Sequence, residues 1–297
     1  MAEQKNWTSY IQVREGSLLK FDYPDEGFNR PAWQKPPTRK TYAGEVTDHT
    51  RKRIITAVDI LLQLNPTRRI FNPIIQKEHD FRCSFATLTI TDEIRPPTST
   101  CNEALAKLLR HFRKPWRKGK LSESMTHYVW KLELQRRGTP HYHITSGNFL
   151  HHVELNKVWN DIQRDYGWTE RYYDKTGSYQ PNSTDIHAVW ECKNLGAYIS
   201  KYMGKKDYIN TSEMGFPSPI SPVQMGGKIW GCSESLRGKK RFSAKMDEYT
   251  WRKIKASVEY QEVEEKEMER CTFYSGAGVR ELSIANRKGL ENWKSSF

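Results

Sequence analysis

From Arg82 to Thr91 the sequence RCSFATLTIT sets apolar and β-branched residues in close succession, which is the pattern of a buried strand. Residues 101–118, CNEALAKLLRHFRKPWRK, read as a helix with a basic face. HYVWKLELQ (127–135) alternates apolar and polar positions as a strand does. RRGT then turns the chain, and HYHITSG returns as the paired strand of a hairpin. HHVELNKVWNDIQRDYGW is helical, TERYYDKTGSYQPNST is a loop, and DIHAVWE (185–191) alternates again. CKNLGAYISKYMGKK follows with a helical pattern. The order β-α-β-β-α-β-α, with strands able to join one antiparallel sheet, predicts an α+β domain of the split βαβ, ferredoxin-like kind.

The flanks are patterned differently. Upstream, DYPDEGFNRPAWQKPPTRK is loop-like and Pro-rich, and TDHTRKRIITAVDILLQLN reads as a helix capped by Thr47 or Asp48. Ile54, Ile55, Val58, Leu61 and Leu62 form its apolar stripe. Downstream, the Pro-rich GFPSPISPVQMGG leads to a short strand, KIWGCSES. The tail from about 244 to 270 reads as helical and turns acidic near EVEEKEMER. The chain thus divides into a basic, aromatic extension (1–78), a central domain (79–236), and a basic then helical region (237–297), with no internal repeat.

Composition narrows the partners. With 48 Lys and Arg against 35 Asp and Glu, the 297-residue chain carries a formal charge of +13, and 12% of its residues are aromatic. A basic, aromatic-rich chain suits a polyanion, nucleic acid ahead of an anionic membrane surface. The five cysteines are odd in number and contain no CxxC pair, which argues against a disulfide scaffold and a cysteine-built zinc site. MAEQKNWTSY has no apolar signal-peptide core, and no apolar run reaches membrane-span length. A reducing cytoplasm fits these features. No G-x-x-x-x-G-K-[ST] occurs, so no P-loop ATPase is expected.

Two stretches carry candidate chemistry. In ELQRRGTPHYHIT, His141 and His143 point to the same face of a strand, about 7 Å apart. Glu133, on the preceding strand of the hairpin, shares that face if the turn is short. Two imidazoles and a carboxylate form a facial set that leaves positions open for water and substrate. Imidazoles with a carboxylate favour Mn²⁺ or Zn²⁺ on affinity, whereas a phosphate substrate and cellular abundance favour Mg²⁺. The competing interpretation of His-x-His is a pair of surface histidines on an amphipathic strand. His151 and His152 belong to a helix start rather than to this set.

In AYISKYMGKK, Tyr198 and Tyr202 stand one helical turn apart, with Lys201 and Lys205 three residues after each. A neighbouring ammonium favours phenolate and stabilises charge on a phosphate under attack. A phenol also leaves more readily than a sugar hydroxyl, so a phosphotyrosyl link to DNA retains the reactivity needed to reseal a strand. Ordinary amphipathic packing is the alternative for this helix.

Together these stretches resemble the HUH endonucleases, and within them the rolling-circle replication initiators. FATLTI (85–90) looks like the family's first motif, PHYH is similar to its histidine motif, and YISKYMGKK resembles the two-tyrosine motif of microvirus and filamentous-phage replication proteins. KIWGCSESL (228–236) looks like a segment that follows in phage initiators. The tyrosines come after the histidines, as in initiators and small single-strand transposases, and unlike relaxases. The resemblance spans about residues 80–236. It implies that Glu133, His141 and His143 bind Mg²⁺ or Mn²⁺. It also implies that Tyr198 or Tyr202 nicks single-stranded DNA at a replication origin, with Lys201 and Lys205 assisting. Host helicase and replication machinery in a bacterial cytoplasm would be the partners.

Arg110, Arg113, Lys114, Arg117 and Lys118, and a second run of Arg237, Lys239, Lys240 and Arg241, are candidates to hold the DNA backbone. Trp116, Trp190 or Trp230 could stack on bases, although Trp190 suits a core position better. A transposase with the same chemistry, or a non-catalytic nucleic-acid-binding protein, remains a rival reading.

Overall fold

The structure is a computed structural model. It describes residues 7–14, 17–24, 47–72, 76–91, 96–115, 121–135, 139–189 and 228–239, and in the C-terminal region 243–246, 249, 251–252, 256, 263–268 and 271–276. The chain forms two compact units. One combines residues 1–40 with 238–297, and the other comprises 41–237.

The first unit is a five-stranded antiparallel sheet. Its strands are β1 (Trp7–Arg14), β2 (Ser17–Pro24), β10 (Ser243–Met246), β11 (Val263–Met268) and β12 (Cys271–Gly276), in the order β10-β1-β2-β12-β11. This corrects two sequence readings. The N-terminal stretch contains a β-hairpin, and the tail read as helical contains three strands. Glu and Lys are good local helix formers, which gives that tail its helical look. Pairing with a distant strand overrides this preference, since Phe21 on β2 lies opposite Cys271 on β12. Ile11, Leu18, Trp251 and Tyr274 are buried, and Tyr10 stacks on Phe21 at 5.9 Å.

The second unit holds the predicted strands and helices. Its main sheet runs β8 (Thr184–Val189), β5 (Cys83–Thr89), β7 (Pro140–Ser146), β6 (Tyr128–Leu134) and β9 (Trp230–Cys232), all antiparallel. Helix α2 (Thr98–Arg113) connects β5 to β6, and α3 (His152–Asp165) connects β7 toward β8. The element order is therefore β-α-β-β-α-β, with β7 lying between β5 and β6. A short helix α4 (Glu170–Thr176) stands where the sequence suggests only loop. Helix α2 ends at Arg113, not at Lys118, because Lys114 is already extended and precedes Pro115.

The two faces of this sheet differ. Tyr142 lies between the two histidines and so points to the opposite face. There it is fully buried and donates its hydroxyl to Asn102 on α2 at 2.9 Å. Trp159 of α3 donates its indole N–H to the Thr89 carbonyl at 3.0 Å. Helices α2 and α3 therefore cover the tyrosine face.

Helix α1 (Asp48–Leu64) serves the other side. Thr47 caps it, accepting from the Thr50 N–H at 3.2 Å, and its apolar residues Ile54, Val58, Leu61 and Leu62 are fully buried. Arg53 lies 5.3 Å over the ring of Trp230, which is paired with Lys131 on the histidine face. The C-terminus of α1 presses on the end of β7. A Cβ at Gly147 would stand 2.2 Å from the Asn65 side chain, so glycine is required there. A hairpin of β3 (Arg68–Asn72) and β4 (Lys77–Phe81) joins α1 to β5.

Candidate active site

The hairpin register places the candidate residues. Glu133 lies directly opposite His141, and Lys131 opposite His143. On the other flank of β7, Thr89 is opposite His141 and Thr87 opposite His143. The Gln135 N–H donates to the Thr139 carbonyl at 2.9 Å, closing the turn and holding this register. Directly opposed residues in an antiparallel pair project to the same face. One patch of the sheet thus holds Glu133, Lys131, His141, His143, Thr87 and Thr89.

Each imidazole is fixed through Nδ1. Thr87 Oγ1 lies 3.2 Å from His143 Nδ1, and Thr89 Oγ1 lies 3.1 Å from His141 Nδ1. Gln135 Nε2 also approaches His141 Nδ1, at 3.2 Å. The rings meet edge to face, 4.7 Å between centroids, and Phe85 stacks on His143 at 5.5 Å. His143 Nε2 lies 3.2 Å from Glu133 Oε2, while Lys131 Nζ donates to Glu133 Oε1 at 2.6 Å. Sequence reasoning misses Thr87, Thr89, Lys131, Gln135 and Phe85. The T-L-T spacing, equal to that of H-Y-H, is the signal that could have found the threonines.

The local charges follow from burial and pairing. Burial alone would raise the Glu133 pKa, but the hydrogen bond from His143 and the Lys131 ammonium override it and hold the carboxyl down at about 2. Burial, then repulsion from His143, lowers the His141 pKa to about 4. At neutral pH the site therefore presents a carboxylate and, at His141, a neutral ring, the forms in which these groups ligate metals.

The donor chemistry suits a divalent ion. Anchoring each Nδ1 leaves Nε2 as the outward nitrogen, the usual arrangement of a metal-ligating histidine. The 3.2 Å between His143 Nε2 and Glu133 Oε2 is close to the roughly 3 Å between adjacent donors on an octahedral ion of about 2.1 Å bond length. His141 joins this pair through ring contact rather than through a third converging donor. Among the described residues, no three His, Cys, Asp or Glu side chains are gathered closely enough to enclose an ion. Asp185 and His187 extend the same face on β8, paired with each other at 2.9 Å and exposed.

The other candidates separate. Tyr198, Lys201, Tyr202 and Lys205 lie outside the described residues, as do Arg117, Lys118, Lys240, Arg241, Trp116 and Trp190. Arg110, Arg113 and Lys114 are exposed at the C-terminal end of α2, and Arg237 is also exposed, whereas Lys239 is buried. The charges of Arg113 and Arg237 both act on the Tyr128 hydroxyl. Tyr128 starts β6 and Glu133 is near its end, about 17 Å further along at roughly 3.4 Å per residue. The basic cluster on α2 therefore sits in the layer opposite the histidines and at the other end of the strand. His151 occupies the N-cap position of α3 and His152 its first turn, apart from the patch.

An antiparallel sheet flanked by helices, with a carboxylate–imidazole patch on its second hairpin, defines an α+β domain built to hold polar chemistry on one face. Residues 83–207 match the replication-associated protein ORF2 family. The match covers less than half the chain. It begins at β5, takes in the whole patch, and extends past Tyr202. Neither a curated protein nor a solved structure matches the chain. No described helix is long and apolar enough to cross a membrane.

Proposed function

We propose that this chain is a rolling-circle replication initiator of the HUH type. It would nick single-stranded DNA at a specific site and later join it, through a 5′-phosphotyrosine. The observation that carries this reading is the register that sets Glu133 against His141 on one face, within a segment matching a replication-associated family. The β-α-β-β-α-β order supports it, since that arrangement puts the histidines on a central strand.

In this reading Glu133, His141 and His143 hold Mg²⁺ or Mn²⁺, which polarises the scissile phosphate and offsets its developing charge. Thr87 and Thr89 orient the imidazoles. The phenol oxygen of Tyr198 or Tyr202 attacks phosphorus as it loses its proton. The bond from phosphorus to the 3′ oxygen breaks, and that oxygen leaves protonated as a free 3′-hydroxyl able to prime synthesis. Lys201 and Lys205 stabilise the phenolate and the phosphate. Unwinding falls to a host helicase.

The test is incubation of the full chain with candidate single-stranded origins and Mn²⁺, followed by a denaturing gel. A covalent protein–DNA adduct is expected, abolished by chelator and by joint His141→Ala and His143→Ala replacement, with DNA binding largely retained. Undiminished cleavage by that double variant, or in excess chelator, would remove the metal assignment. Binding without any adduct would leave a non-catalytic nucleic-acid-binding protein.

A further inference from the structure

Lys131 is 0% exposed, yet it belongs to the polar patch. Its Cα is paired with that of His143, and its Nζ lies 2.6 Å from Glu133 Oε1. An ammonium removed from water must keep an anionic neighbour, because a buried charge stripped of its partner is strongly destabilising. Glu133 supplies that neighbour with one oxygen, while its other oxygen, Oε2, meets His143 Nε2 at 3.2 Å. The carboxylate is divided between the chain's own cation and the imidazole side of the patch.

We infer that Lys131 is an ion-selecting residue: by occupying Oε1 it restricts Glu133 to one-oxygen coordination and tunes the site to Mg²⁺ and Mn²⁺ against Ca²⁺. This rests on the metal site proposed above. Mg²⁺ and Mn²⁺ suit compact octahedral sites, whereas Ca²⁺ takes more oxygen donors and gains from carboxylates that offer both oxygens. A fixed ammonium beside the carboxylate also weakens divalent binding in general, since like charges repel strongly where water is excluded. The two effects separate experimentally. Loss of charge alone strengthens every divalent ion similarly, while release of Oε1 favours Ca²⁺ in particular.

The experiment titrates Mn²⁺ into the full chain, follows free Mn²⁺ by its electron paramagnetic resonance signal, and repeats the titration with Ca²⁺ as competitor. No turnover is involved. In Lys131→Met both ions should bind more tightly and Ca²⁺ should gain more, so that the Mn²⁺-to-Ca²⁺ preference falls roughly tenfold, about the worth of one charged hydrogen bond. Lys131→Arg, which keeps both charge and donor, should hold the wild-type preference. Should the Met variant not fold, Lys131→Gln, neutral but polar, undergoes the same comparison, and an unchanged preference there counts against the inference. If wild type binds Mn²⁺ through His141 and His143 and the preference is unchanged in Lys131→Met, ion selection by Lys131 is wrong and the nickase reading stands. If wild type binds neither ion, the metal site and this inference fall together.

Discussion

Thr87 and His143 face each other across β5 and β7, hydroxyl to Nδ1 at 3.2 Å, and one step along the strands Thr89 and His141 repeat the contact at 3.1 Å. The first motif strand thus does more than fill the core. Its threonines set which imidazole nitrogen turns outward. Thr87→Val and Thr89→Val keep a β-branched shape suited to a strand and delete only the hydroxyl. Each should weaken Mn²⁺ affinity about tenfold or more, the usual cost of losing a partner behind a metal-ligating histidine. Unaltered affinity in the double variant, measured by the same Mn²⁺ titration, would deny the threonines this role.

Acid should destabilise the ion-free protein in two stages. His141 titrates at about 4 in the fold instead of 6.5, so between these values the unfolded chain binds a proton that the folded chain does not. Stability then falls as pH drops from about 6.5 to 4. Glu133 titrates at about 2 instead of 4.5, and the stabilisation it contributes above 4.5 is lost as pH drops through that window to about 2. Both groups act in the same direction, each by at most about 3 kcal/mol. Melting temperature against pH in the presence of chelator measures this. His141→Asn should flatten the upper limb and Glu133→Gln the lower. An upper limb equally steep in His141→Asn would mean another group governs it.

Local pattern and pairing account for what can be read from the sequence. The alternation in HYVWKLELQ and HYHITSG, joined by a turn, is enough to place Glu133 on the face of His141, because a hairpin fixes its own register. The patch's outer members are not legible in that way. Thr87 meets His143 from a strand 56 residues earlier, and α2 intervenes, so nothing local gives the offset between them. Lys131 presents a similar difficulty. A lysine on an alternating strand looks solvated, and only the α1 side of the sheet and the Glu133 pairing reveal it as buried. The first unit is hidden for the same reason. Strands β1 and β2 are completed by β10 and β12, which lie toward the other end of the chain.

The placement of the α2 cluster makes a separate prediction. Arg110, Arg113 and Lys114 are exposed in the layer opposite the histidines, so they can add affinity without touching the reacting phosphate. Replacing all three with Gln should weaken DNA binding and flatten its dependence on salt, because fewer counterions are released. The cleavage rate at saturating DNA should stay within about twofold of wild type, as expected when only binding shared by ground and transition states is removed. An unchanged salt slope would return the cluster to a merely solvated face. A large fall in the saturated rate would place the scissile strand on the helical side of the sheet.

The pair of tyrosines raises the question of order in a full replication round. One cleavage starts the round, and a second must release the finished circle while the first phenol still holds the 5′ end. A second nucleophile on the same helix meets that need, since the 3′-hydroxyl freed by the second cut can attack the first phosphotyrosine and close the circle. Tyr198 and Tyr202 are spaced four residues apart, about 6 Å of helical rise, so a small shift of DNA or helix presents either phenol to one phosphate. Each follows the same rule of a lysine three residues on, Lys201 and Lys205, which makes the two phenols chemically alike. Tyr198→Phe and Tyr202→Phe should therefore each retain some single-turnover nicking, and the double variant should form no adduct. Peptide mapping of the DNA-linked residue in wild type and both single variants decides the matter. An adduct confined to one tyrosine, with its Phe variant wholly inactive, would mean a single nucleophile. The second cut would then have to come from another copy of the chain.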